Sequence, residues 1–219
     1  MKYIKKGEEP EKFSAWKALV NDDWQPSWDN NFQSPEKPIV HDGLLKEQGY
    51  ICCYCGMRIT RATSHIEHFK PRSKYPHLAL EYTNLIASCQ GESEEPPPVP
   101  VHCGHQKKYW YDETLMVSPL EMNCADFFKY SASGEILITD ELDKKEAAKV
   151  TIEKLALNLS KLQNMRKSAI EAVLLDIDEL TELEIQQLVQ GYEQIDSSGQ
   201  YTPFCAAIAY LLQNYFLVL

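Results

Sequence analysis

The segment CCYCGMRITRATSHIEHFKPRS, residues 52–73, constrains the fold more than any other stretch of this chain. It crowds three cysteines, two histidines and one glutamate together. Cys52 and Cys55 have the spacing at which two thiolates reach one ion from a tight turn, closed here by Gly56. A second pair is available downstream in Cys89 and Cys103, split by a proline-rich run, and His102 could replace Cys103 as the fourth donor. Together these residues predict a structural Zn²⁺ site. A redox role would need the Cys-x-x-Cys to open a helix in a βαβ unit, and CGMRITRATS has no such shape. Cys53 reads as a small apolar residue facing the other way, and Cys124 and Cys205 as buried, unligated thiols. An odd total of seven cysteines, with no export signal, favours thiols and metal ligands over disulfides.

The formal net charge of −10 is unevenly distributed. Residues 1–50 carry net −2, residues 51–110 net +2, and residues 111–219 net −10. Five basic residues (Arg58, Arg61, Lys70, Arg72, Lys74) face a single acidic one, Glu67, between Met57 and Leu80. No apolar run follows the basic start of the chain. The most apolar stretch, FCAAIAYLLQNYFLVL, has 16 residues and contains Gln213 and Asn214, short of the ~20 residues of a membrane span. A soluble, cytoplasmic protein with no membrane association is expected.

The pattern predicts an α+β chain, mostly helical, in three parts. Residues 1–50 are a helical lead-in, with a short helix within 10–25 and a better one in SPEKPIVHDGLLKEQGY that stops at Gly49. Residues 51–111 are the chemical centre. There YICCYCGMRI reads as a turn between two short strands, HIEHFKPRS as a strand that Pro71 ends, and LEYTNLIASC as the helix closing a ββα unit. The run QGESEEPPPVPV reads as an exposed loop. Residues 112–219 hold a hairpin with Ser-Gly at its turn, then acidic helices, one of them opened by a Thr181/Glu184 capping box.

A carboxylate followed directly by histidine on a strand puts the two side chains on opposite faces. Glu67 could then bind a metal while His68 faces a water molecule. Asn84 and the run CGHQKK at 103–108 add a carboxamide and a further imidazole. This order of acid-His, Asn, and His followed by Lys resembles the HNH (ββα-metal) endonuclease family. The runs LLKEQGYICCYCGMRI, IEHFKPRSKYPHLALEYTNLIASCQG, CGHQKK and FFKYSASGEI are similar, more closely, to the PtuB family of HNH proteins in Septu-type and retron-associated anti-phage systems. The chain departs from generic HNH enzymes in its Glu-His dyad and in its split second cysteine pair.

Carried across, the resemblance implies a small zinc-organised ββα-metal core and a metal-dependent endonuclease acting on DNA in anti-phage defence. His68 would be the general base, and Glu67 and His105 would hold a catalytic Mg²⁺ or Mn²⁺. Asn84 would hold the His68 loop through a backbone contact, and Arg72, Lys74, Lys107 and Lys108 would meet phosphates. The implied partner is a PtuA-like ATPase of the ABC/SMC type, and homodimerisation through the helices is a further option. An RNA-cutting or toxin-like nuclease and a non-catalytic zinc scaffold are the rival readings. His41 and His77 read as structural or solvated, and His65 as a secondary contact on the face of Glu67. Asn84 could also be a helix cap, and His105 an accessory zinc ligand. Tyr109, Trp110 and Tyr111 read as core residues in preference to base-stacking ones.

Overall fold

The computed structural model describes residues 1–90, 100–175 and 177–217, so the proline-rich loop expected around 90–101 lies largely outside the described residues. Two helices lead in, α1 (Glu11–Lys17) and α2 (Glu36–Glu47). Phe13 and Trp16 of α1 are buried and meet Phe32 at ring-centroid distances of 5.2 and 5.6 Å. The helix expected within 10–25 therefore ends early, and Leu19 is exposed. After α2 the chain turns at Gly49, whose φ of +55° lies in the left-handed region open to glycine. A Cβ at Gly49 would also come within 2.5 Å of the Tyr201 ring. That close approach lets the Tyr201 N–H donate to the Gly49 carbonyl, tying the C-terminal part to the end of α2.

Strands β1 (Ser64–His68) and β2 (Leu85–Cys89) pair antiparallel, with Glu67 opposite Ile86 and Ser64 opposite Cys89. The strand expected at HIEH is present. The helix expected at LEYTNLIASC is not: a 3-10 turn at Tyr82–Asn84 leads directly into β2. All five residues of β2 are buried, so its apolar run has no alternation to separate strand from helix. The strands expected around the Cys-x-x-Cys reduce to one bridge, Ile51 with Arg58. The free edge of β2 is covered by Gln48, whose side chain bonds both the N–H and the carbonyl of Ala87 at 2.6 and 2.9 Å.

A four-residue helix, α3 (Gly104–Lys107), follows, then the hairpin β3 (Phe128–Tyr130) and β4 (Ile136–Ile138). Four α-helices follow among the described residues, α4 (Lys145–Lys154), α5 (Ser160–Leu174), α6 (Glu182–Glu193) and α7 (Cys205–Leu211), the last running into a π-helical turn at Leu212–Phe216. The Thr181/Glu184 capping box opens α6 as its sequence predicts. One hydrophobic cluster runs from Met1 to Leu212 through all three regions. The apolar segment after Phe204 is used in it, through Ala207, Ile208, Leu211 and Leu212. No helix among the described residues is long and apolar enough to cross a membrane.

Candidate active site

Four sulfurs converge where the Cys-x-x-Cys turn, the end of β2 and the start of α3 meet. The Sγ atoms of Cys52, Cys55, Cys89 and Cys103 lie within 4.8 Å of one another, all buried. The turn is shaped by Gly56 at φ +77°, with its N–H donated to the Cys52 carbonyl. Zn–S bonds of ~2.3 Å put the sulfurs of a tetrahedral site ~3.8 Å apart. Cys55 and Cys89 are separated by 3.8 Å. The donor set can therefore hold a metal ion, and its chemistry suits zinc. His102 stands behind the sulfurs, its Nδ1 3.2 Å from Cys103 Sγ and 3.5 Å from Cys89 Sγ. Burial pushes the Cys103 thiol well above its ordinary value. Burial also opposes ionisation of Cys52, but hydrogen bonds from Cys103, Cys53, Cys55 and Cys89 outweigh it and bring Cys52 well below. Cys53, Cys124 and Cys205 are buried thiols outside this group.

The histidine motif lies on β1, next to this centre. His68 is buried, with the Trp28 ring edge-on at 4.2 Å between centroids. Its Nε2 lies 3.0 Å from the carbonyl of Ala79. A carbonyl can only accept, so Nε2 carries the proton and Nδ1 is left as the acceptor. Burial pushes the imidazole down to about 4, against the opposing pull of the Ala79 carbonyl and Glu67. The ring is therefore neutral at cellular pH.

Asn84, the last residue of the turn before β2, fastens the chain that leaves β1. Its Oδ1 accepts from the Lys70 N–H at 2.8 Å, and its Nδ2 donates to the carbonyls of Lys70 and Leu78 at 3.0 and 3.2 Å. It caps no helix. His41 is buried in α2, 2.9 Å from Ser64 Oγ, and His77 is exposed.

Glu67 is buried and held from two sides. Lys107 Nζ lies 2.7 Å from its Oε1, and His65 Nε2 lies 3.5 Å from its Oε2. Burial works against the carboxylate, but His65 and the Lys107 ammonium together hold Glu67 below its usual range. Among the described residues only the four cysteines bring their ligand atoms together as a metal-sized group, although the His65 and His105 rings meet at α3, 4.4 Å apart. Gly104 is needed there, because a Cβ would sit 2.6 Å from His65 Nε2 and 2.8 Å from Glu67 Oε2.

Lys107 is not where a phosphate contact belongs. It is 2% exposed and also donates to the His68 carbonyl at 2.9 Å. A lysine buried this deeply needs a carboxylate, and Glu67 provides one. Losing one partner of such a pair costs ~3–5 kcal/mol, and each ~1 kcal/mol moves the Tm of a chain this size by ~2–4 °C. Lys107→Met should therefore lower the Tm by on the order of 10 °C. A thermal melt checks this, and an unchanged Tm would show that Glu67 does not depend on the ammonium.

The other expected phosphate contacts, Arg72, Lys74 and Lys108, are exposed, and Arg72 is ion-paired with Asp29. An open groove of about 810 Å³ runs beside His68, lined by Trp28, Asp29, Arg72, His77, Ala79 and Tyr109, among others. Tyr109 is 70% exposed. Tyr111 instead packs on Phe69 and Tyr75, and Trp110 is half-buried against the core. Two contributors to the site, Trp28 and the Ala79 carbonyl, have no signal in the sequence. The first is far away in the chain, and the second is a backbone group.

No protein-family model matches the chain. It is 32% identical over 150 residues to the inferred HNH endonuclease of retron Vc95 from Vibrio cholerae, covering 66% of this chain and 69% of that protein. It is 28% identical over 179 residues to the inferred HNH endonuclease of retron Ec83 from Escherichia coli, covering 64% and 69%. Over 56 residues it is 34% identical to the Septu protein PtuB of Bacillus thuringiensis, covering 25% and 22%. At 32% identity over 69% of the Vc95 protein, the chain belongs to the Septu/retron-type family of HNH endonucleases.

Proposed function

We propose that this endonuclease is metal-dependent, cuts DNA, and works with a PtuA-like ABC/SMC-type ATPase in anti-phage defence. The observation that carries the reading is the geometry of His68: Nε2 held by the Ala79 carbonyl, Nδ1 left to accept, and Glu67 beside it on β1. In this reading β1, β2 and α3 form the ββα-metal core within residues 51–111, flanked by regions 1–50 and 112–219. His68 Nδ1 takes the proton of the attacking water. Asn84 fixes the backbone that follows His68, which keeps the ring in line with the reacting phosphorus. Glu67 and His105, with His65 beside them, are the residues that would hold a catalytic Mg²⁺ or Mn²⁺. When bound, that ion would offset charge on the scissile phosphate and the departing 3′ oxygen. Lys74 and Lys108 meet flanking phosphates, Arg72 being paired with Asp29, and the four cysteines would hold Zn²⁺ as a structural clamp.

Charge supports the need for a partner. Phosphate contacts supply most non-specific affinity for DNA, and residues 111–219 carry net −10. An acidic body of this kind repels a duplex over a Debye length of ~8 Å at physiological salt. The test compares plasmid DNA and RNA cleavage by the isolated chain with cleavage by a co-expressed complex with the ATPase. Strong DNA cleavage by the complex and weak cleavage by the chain alone are expected. Preferential RNA cleavage, equal activity without the partner, or failure to co-purify would contradict the corresponding part of the reading.

A further inference from the structure

We propose that the groove beside His68 takes an unpaired nucleic-acid strand, with one base stacked on Tyr109. This rests on the nuclease reading above and adds the substrate's strand state to it. The two groove residues that touch His68, Trp28 and Ala79, place the imidazole beneath the groove floor. His68 itself is only 9% exposed. A flexible single strand can enter such a recess, whereas a stacked duplex presents a rigid surface to it.

The cations of the groove are already neutralised. Lys17 is 2.6 Å from Glu9, Arg72 is paired with Asp29, and Glu81 also lines the wall. Binding driven by phosphates gains little from such a lining, for a duplex and a single strand alike, so stacking on an unpaired base is the contribution left. The aromatic surface is what remains. Tyr109 is exposed although both residues after it pack inward. Lys108, at φ +50°, breaks the chain out of α3 just before it. An exposed ring in a groove of about 810 Å³ offers the sequence-tolerant stacking platform of single-strand binders.

The test is fluorescence anisotropy with the full chain at physiological salt, without added divalent ion. The probes are a labelled single-stranded DNA, an RNA of the same sequence, and the matching DNA duplex. At least one single strand is expected to bind more tightly than the duplex, and the tighter of the two identifies the sugar. Tyr109→Ala should weaken single-strand binding by on the order of 5- to 150-fold, the value of one stacked base. Tyr109→Phe should retain it. Equal or tighter duplex binding, no binding of any probe, or wild-type binding by Tyr109→Ala would overturn the inference. The nuclease reading is judged separately: His68-dependent cleavage of duplex DNA that ignores Tyr109 would remove this inference alone.

Discussion

His68→Ala is expected to lower cleavage by on the order of 10²–10⁴-fold, the usual contribution of a positioned general base. Fold and cysteine-bound metal should be unchanged. The size of the effect follows from the geometry. The Ala79 carbonyl uses Nε2, so Nδ1 is the acceptor this ring can offer to a water. Glu67, the neighbouring base by sequence, is occupied by Lys107 and His65. His77 lines the same groove, but it is exposed and edge-on to Tyr75, with ring centroids 6.4 Å apart. Single-turnover cleavage, circular dichroism and zinc content measured on one preparation separate loss of chemistry from loss of structure. His105→Ala should also fail, through loss of the catalytic ion, whereas Glu67→Ala would lose that ion and the buried partner of Lys107 together. Wild-type rates from His68→Ala would mean that the proton goes elsewhere.

Cys55→Ser is expected to lose most of the bound metal and much of the soluble protein. The four cysteines join three separate pieces of chain: the 52–55 turn, the end of β2 and the residue before α3. Cys103 itself has φ +56°, a strained conformation for a non-glycine residue, and its N–H donates to the Leu155 carbonyl at 2.8 Å. Structural zinc binding is worth ~10–16 kcal/mol in small domains, comparable to the ~5–15 kcal/mol net stability of a typical chain. Serine keeps the volume but not the soft thiolate. Elemental analysis should show about one zinc per wild-type chain and well under half that in the variant. Zinc-free wild-type protein, purified without chelator, would remove the clamp from the account.

Residue spacing reports the four-cysteine group better than the secondary structure around it. Cys-x-x-Cys, with a second cysteine pair downstream, pointed to one buried group because few other arrangements need four thiols at such intervals. Gly49 and Thr181 marked helix ends because each answers a local demand, a left-handed turn in one case and unsatisfied N–H groups in the other. The sequence of strand β2 reads as a helix because burial on both faces erases the alternation that reports a strand. Lys107 was read as a phosphate contact because nothing local shows that α3 turns it inward, under Glu67. The pairing of Trp28 with His68 depends on tertiary packing, and the Ala79 carbonyl is invisible to side-chain reasoning.

The most direct test of the central claim is plasmid cleavage by the co-purified complex after removal of loosely bound divalent ions. Mg²⁺ and Mn²⁺ are then restored one at a time, with wild type and His68→Ala side by side. No cleavage is expected without added ion, with recovery for wild type and none for His68→Ala at any ion concentration. Cleavage that persists without the ion, or that returns equally in both proteins, would contradict a metal-dependent nuclease centred on His68.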